Sequence, residues 1–537
     1  MFPNFKVKSV VALSGILSGV LLTCGIAGAQ AGNWLMSGGD VQRSGWNNDE
    51  TRLTPQNVQG MKLLWTVQTD VYPQALHTLM DPLVVQNVPM PGGPTEMVYI
   101  LGVGDTMYAI DGKTQKIAWQ KKWTYGAPAP ERLPDGAQRP PEPVDTKHYN
   151  FLNPKGSTDV PVIGEPDAAG VRPIYVIDGG ANLHIMSDVT GEDLKPVIKV
   201  GSTSKFALQL YKDQIILAGP GSIFSTYISG PDYGKVTKTS GFGGGGGLWG
   251  RRGPVITSDG TVWTTTGDGL VNLSDPDNLI IGNSIVGFAK VGDAWKVKNW
   301  FTPPNWDWLR RRDLDPNNTP TAFNWKGKEW MAASGKECRL YLLDPQNPGG
   351  ADHMEPTYKT PLICNEAVDF ASAGSWGAVS SWEAKDGTRW VLVPFWGPKH
   401  SQMRFPITNT PNTKEGGVAA FKLVEKAGKP VFDPVWVSRD MFRGEPPIIA
   451  NGIVFSWGSG DDTSQVWPDI GLNFDSTNRV LTAKHATLYA LDAETGKELW
   501  SSGDTMTSFN HFTSVTVANG KVYLSTYDGK VFCFGLS

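Results

Sequence analysis

The chain has 537 residues, 62 of them Gly, 39 Pro and 21 Trp, and only 19% charged. That balance suits a turn-dense, aromatic-rich β protein and argues against a helical bundle. A formal net charge of −4 gives no electrostatic reason to expect a nucleic-acid partner.

In chain order, residues 1–31 read as an address. Lys6 and Lys8 precede an apolar run from Val10 to Leu22, and Ala29-Gln30-Ala31 forms an A-x-A cleavage signal. The expected mature chain, residues 32–537, is a single exported domain in the periplasm or outside the cell. No later segment has the ~20 uninterrupted apolar residues of a membrane span. "MKLLWTVQTD", Met61 to Asp70, reads as a strand without a neighbour in sequence, and "DPLVVQN" from Asp81 opens a strand pattern. "YAIDGKTQKIAW", Tyr108 to Trp119, then supplies a strand, an Asp-led turn and a Trp-ended strand. Residues 126–161 are Pro-rich and charged and read as an inserted loop.

Looser copies follow: "TVWTTTGDG", "EWMAASGKECRLYLLD", "GGVAAFKLVEKAGKPVFDPVW" and, almost identical to the first, "YALDAETGKELW", Tyr489 to Trp500. A preceding strand recurs as "DVPVIG", "GPVITSDG", "EPPIIANG" and "SVTVANG". Roughly four strands recur every ~45 to 80 residues, the layout of propeller blades with insertions. The expected fold is therefore all-β: an eight-bladed β-propeller of four-stranded blades, with seven blades as the alternative. The last copy, "KVYLSTYDGKVFCFG", lacks a closing Trp strand, so the orphan near Trp65 is expected to complete that blade and close the ring. Beyond residue 31 the cysteines are Cys338, Cys364 and Cys533; the first two are the closer pair, and an odd count leaves one thiol over.

The Tyr-Ala-x-Asp-x-x-Thr-Gly-Lys-x-x-Trp repeat resembles that of the pyrroloquinoline quinone (PQQ) propeller superfamily. Its eight-bladed members include periplasmic methanol and alcohol dehydrogenases, and the same blades build a non-enzymatic scaffold lipoprotein of outer-membrane barrel assembly. The resemblance implies PQQ and a calcium or lanthanide ion as cofactors, a small-molecule alcohol as substrate, and a separate electron acceptor such as a cytochrome c. Residue by residue, "GGGGGLWGRRGPV" places Trp249 where the family has a Trp under the quinone, with Arg251 beside it as a candidate for the cofactor's carboxylates. "TTTGDG" resembles a metal-ligand segment and puts Asp268 at the ligand. "RDLDPNNTP" maps the general base onto Asp313, and Asp315 onto the additional carboxylate of the lanthanide-using branch. Lys336 in "SGKECRLYLLD" matches a cofactor-contacting Lys.

Two features depart from that pattern. The adjacent Cys-Cys pair of the alcohol dehydrogenases is absent, and "LAGPGSIFS" offers Ser222 or Ile223 where the family has a metal-binding Glu. The rival expectation is a propeller that kept the fold as a binding or assembly scaffold; a third is an oxidoreductase with another cofactor. His77, Asn510 and His511 lie just ahead of strand patterns and are expected to line the centre of the ring. There is no H-E-x-x-H, no G-x-S-x-G and no P-loop.

Overall fold

The computed structural model describes residues 32–124 and 156–537, apart from 75, 204–205, 220, 276–277 and 465–475. The leader read in residues 1–31 and most of the 126–161 insertion lie outside the described residues. Eight antiparallel sheets follow one another around a ring. Seven are local meanders, over residues 83–122, 162–199, 209–240, 248–301, 321–359, 380–437 and 448–501, taken here as blades 1 to 7. Blade 8 joins the chain's two ends: Lys62–Gln68 pairs antiparallel with Lys530–Gly535, Trp65 lying opposite Cys533. Ring closure of this kind removes the free sheet edges that an open β array would expose. Among the described residues no helix is long and apolar enough to cross a membrane.

The repeat motif earns its Trp and its Gly at blade junctions. Asp492 Oδ1 accepts the amides of Glu494 and Thr495 and the Thr495 hydroxyl, which shapes a turn ending on Gly496 at φ +68°. A Cβ at Gly496 would lie 2.4 Å from Trp436 of blade 6, whose indole Nε1 donates to Ala493 O at 3.1 Å. Trp119 of blade 1 repeats this on blade 2, covering Gly191 and donating to Asp188 O at 3.2 Å. At these two junctions an outer-strand Trp clasps the next blade's turn, which only a glycine leaves room for. Behind the clasps the apolar core is divided between neighbouring blades, as where Tyr175 and Ile185 meet Leu217 and Phe224.

The segment from Trp34 to Asn47 runs through the centre of the ring and touches every blade. Trp34 exchanges both backbone bonds with Val84 of blade 1, and Leu35 O accepts from Ile163 of blade 2. Val41, Gln42, Ser44 and Gly45 carbonyls accept from Ile256, Ala322, Ser381 and Ile449 of blades 4 to 7. Arg43 reaches Leu208 O at the start of blade 3, and Asn47 Nδ2 reaches Val517 O of blade 8, each at 2.8 Å. The partners sit on or beside the first strand of each blade, so those strands are the innermost. Arg43, fully buried, also donates to Ser37 O and Pro254 O. Burial lowers its pKa to about 9, so it stays charged at neutral pH.

Replacing Arg43 by Met keeps the volume and leaves three buried carbonyls without their donor. The expected loss is at least ~3 kcal/mol of stability, read as a lowered denaturant midpoint with an unchanged slope.

Candidate functional site

The glycine run does not make a phosphate loop. It lets backbones interlock. A Cβ at Gly246 would lie 2.5 Å from Gly267, one at Gly269 1.9 Å from Gly243 O, and one at Gly282 2.3 Å from Gly269. This packing presses residues 243–247 onto 267–270 and fixes the backbone that carries Asp268. Trp249 leaves the same run as part of a short strand paired with Thr265. Its ring lies against Gly267, where a Cβ would meet Trp249 Nε1 at 2.3 Å and Asp315 Oδ2 at 2.9 Å.

Asp313 and Asp315 follow the short helix Trp306–Arg310. Leu309 and Leu314 are buried as its anchor, and the two carboxylates flanking Leu314 meet across a turn rather than along an extended strand. Asp313 takes a left-handed backbone, φ +54°, which Asp tolerates better than most residues. Lys336 arrives from the turn after strand Lys328–Ala333. Its amide donates to Asp315 O at 3.1 Å, its carbonyl accepts from Asn365 at 2.7 Å, and Gly335 and Gly374 pack too closely on their neighbours to carry a side chain. The disulfide Cys338–Cys364 staples this turn, while Cys533 is a buried free thiol in blade 8.

The result is a cluster in which one oxygen from each of Asp268, Asp313 and Asp315 lies within 4.8 Å of the others. Lys336, 4% exposed, pairs with Asp313 and with Asp315 Oδ1 at 2.9 Å. Burial opposes the Lys336 charge, but Asp315 and Asp313 outweigh it and hold its pKa above the ordinary value. Burial, then the Asp315 charge, then a hydrogen bond to Asp313 raise the pKa of Asp268. Asp315 is raised too, chiefly by burial. Three carboxylates facing one ammonium carry surplus negative charge, and the donor set is all oxygen, which fits a hard cation. Asn283, which the sequence reading missed, donates to Asp268 Oδ1 at 3.2 Å, and its own buried Oδ1 has no hydrogen-bond partner.

Arg251 is placed differently from the cluster. It is buried and paired with Glu445, and its guanidinium lies 3.9 Å over the Phe512 ring. Nη2 has no hydrogen-bond partner. Arg252 is no exposed edge: it is fully buried and holds Ser380 and Pro447 of blades 6 and 7. The basic run 310–312 is surface-directed, Arg310 and Arg311 on Asp307, and Arg312 over Trp308. An aromatic wall joins the two ends of the site. Lys336 Nζ lies 4.8 Å from the Trp376 ring, Trp376 stacks on Trp396 at 4.8 Å, and Phe512 follows at 6.1 Å. Trp376 and Phe512 had no signal in the sequence, because they stand outside the repeat. His77 and His511 meet edge to face at 4.8 Å, and Asn510 is buried on Thr513 and Ser525.

A family profile described as outer membrane protein assembly factor BamB matches residues 451–534, in the last two blades. Sequence comparison finds no match among curated proteins. Solved structures share the fold. A quinohemoprotein alcohol dehydrogenase from Comamonas testosteroni is 14% identical, with 95% of this chain and 81% of that chain covered and a TM-score of 0.52. The corresponding figures for quinohemoprotein alcohol dehydrogenase ADHIIG from Pseudomonas putida HK5 are 12%, 95%, 81% and 0.55. A europium-containing methanol dehydrogenase is 13% identical over 94% of this chain and 98% of that one, at a TM-score of 0.54.

The raised Asp268 pKa has a definite sign in stability. An acid whose folded pKa exceeds its unfolded one favours folding less and less as pH rises above the ordinary carboxylate value of about 4. Asp268→Asn is therefore expected to stabilise the metal-free protein by about 1–2 kcal/mol at pH 7 and to change little at pH 4. Thermal unfolding at the two pH values measures this.

Proposed function

We propose that the chain, whose propeller fold is shared with quinohemoprotein alcohol dehydrogenases and a methanol dehydrogenase, is an exported quinoprotein dehydrogenase of the PQQ-type propeller superfamily that oxidises an alcohol or related small molecule. The observation that carries the reading is the meeting of Trp249, Asp268, Asp313, Asp315 and Lys336, which come from separate turns of blades 4 and 5, at one cluster. A non-catalytic ring has no need to hold surplus carboxylates in a largely buried place.

Asp268 and Asp315 would hold the metal ion, with the Asn283 side-chain carbonyl within reach of the same cluster. The extra carboxylate suits a trivalent lanthanide as well as calcium. Trp249 would be the flat platform under the cofactor ring, and Arg251, with a free buried N–H, would answer a carboxylate. PQQ, when bound, supplies the oxidant that accepts two electrons from the substrate carbon. The chain's own part is acid–base. Asp313, half-buried and paired with Lys336, accepts the hydroxyl proton of the alcohol, and Lys336 holds the developing charge in place. The indole of Trp249 and the buried side of the cluster exclude water from the reacting atoms. A separate acceptor such as a cytochrome c would collect the electrons.

A second reading is supported by the profile match over 451–534: a propeller that serves as a binding or assembly scaffold. One titration separates the two. PQQ added to the purified protein with calcium or lanthanum is expected to quench tryptophan emission saturably, and the quench to be lost in Trp249→Ala and Asp315→Ala. Asp313→Ala should still bind and reduce dye at least ~10²-fold more slowly with short alcohols. Absence of quenching under either metal supports the scaffold and overturns the dehydrogenase.

A further inference from the structure

Both carboxylates assigned to the ion already face an N–H group of the chain itself. Asn283 Nδ2 donates to Asp268 Oδ1 at 3.2 Å, and Lys336 Nζ lies 2.9 Å from Asp315 Oδ1. The two contacts differ in kind. Asn283 is fully buried, and its own Oδ1 has no hydrogen-bond partner. Asp315 is buried too, and its Oδ1 takes the Lys336 charge but accepts no well-directed hydrogen bond. The ammonium thus satisfies Asp315 by charge and proximity rather than by direction, as a cation lodged there would. Its directed bond goes to Asp313.

Buried oxygens left unmade are costly unless a ligand completes them. An ion held by Asp268 and Asp315 needs oxygens around it, and an N–H group aimed at it is repelled. Half a turn of the Asn283 amide exchanges Nδ2 for Oδ1 beside Asp268 with almost no change in shape. Lys336 has no such exchange, because it is a like charge next to the ion. It has another place to go: Asp313 binds the same ammonium, and the Trp376 ring offers its face at 4.8 Å.

We propose that Lys336 is a tethered cation that keeps the ion's place at Asp315, and that Lys336 and Asn283 together close the site until a metal arrives. On metal binding the Asn283 amide turns its oxygen to the ion, and Lys336 leaves Asp315 for Asp313 alone. Lys336 therefore sets the metal affinity, since the incoming ion displaces a charge already bound. The same placeholder lets buried acids stand together before loading. Its release has a consequence for the reaction. An ammonium no longer drawn toward Asp315 is free to turn its N–H groups to an oxygen of a bound molecule, so the ion and that molecule favour each other's binding. This inference rests on the metal site of the dehydrogenase reading, but its test uses neither quinone nor turnover.

Terbium titrated into the full chain reads the site directly, because the Trp249 indole and Asp315 Oδ2 both pack at Gly267, close enough for the indole to sensitise terbium emission. Lys336→Met, similar in volume and uncharged, is expected to bind terbium at least ~10-fold more tightly than the wild-type chain, and calcium, read by displacement, in the same direction. Lys336→Gln should do the same, and thermal unfolding shows which of the two variants folds well enough to be used. Arg312→Gln removes a neighbouring positive charge whose guanidinium lies over Trp308 instead, and should change the affinity by no more than about twofold. Asn283→Leu should weaken binding by about fivefold or more, because an oxygen ligand is lost. Unchanged or weaker binding in both Lys336 variants, or equal tightening in Arg312→Gln, overturns the placeholder and leaves the metal site standing. Unchanged binding in Asn283→Leu overturns the role of its amide. No terbium emission from the wild-type chain or from either Lys336 variant overturns the metal site itself, and this inference with it.

Discussion

The ring depends on satisfying the inner edge of its blades. Eight short first strands point backbone N–H and C=O groups at a narrow centre, where an unpaired group is expensive and eight separate fillers would be needed. One strip of chain, Trp34 to Asn47, meets them all by giving its carbonyls to blade after blade and letting Arg43 and Asn47 reach the two it does not pair with directly. The strip also couples blades that share no side chain, since Arg43 touches the starts of blades 3 and 4 and Arg252 ties blades 6 and 7 close beside it. At two junctions the outer rim adds a different device, the Trp-on-Gly clasp, which is local and repeats from blade 1 to 2 and from blade 6 to 7. Closure therefore has two independent parts, an inner thread and an outer set of pairwise clasps.

The thread gives the functional candidates a rigid floor. Gly250 and Thr319, next to Arg251 and Asn318, pack against each other beside it, so the Trp249 turn and the Asp313–Asp315 loop are fixed to one frame. Against that frame the carboxylate cluster is electrostatically unfavourable. Burial first, and then the repulsion among the acids, raises the pKa of Asp268 and Asp315 against the opposing pull of Lys336. Disulfide, glycine contacts and the Asn365 bond restrain the Lys336 turn from which the compensating charge comes. A fold that holds repelling groups together by restraining their backbones has spent stability on a site, which is the trade expected of a catalytic or ligand-binding centre.

Much of the blade pattern was legible before any coordinates. Asp111 and Asp492 sit at the head of turns whose geometry is encoded within a few residues, and Trp119 lies at a set distance after its turn. The orphan strand around Trp65 was legible for a different reason: a propeller with a half-blade at each end has only one way to close. Asp313 and Asp315 were readable as a pair from the motif, although a left-handed turn at Asp313 and not strand alternation brings them together, and Lys336 because it keeps its place in a blade. The thread was not readable. Residues 34–47 have no strand periodicity, and their bonds are backbone contacts made at distances of up to hundreds of residues. Nor was the Asp461–His511 pair, whose members are separated by a 50-residue excursion, or the wall of Trp376 and Phe512.

By itself the sequence determined the repeating unit, the closure by the two ends, and the residue types able to bear chemistry, because each of these is written in local spacing and composition, while the structure decided for eight blades over seven. Only the tertiary structure decided which of those residues meet. Arg251 went to Glu445 and Phe512, Arg252 into the floor, Lys336 between two carboxylates, and His511 onto a carboxylate that leaves its other nitrogen open. The physical reason is the ring itself. Its blades are local, but the inner ends of all eight converge on one axis, and contacts there join residues that no local pattern relates.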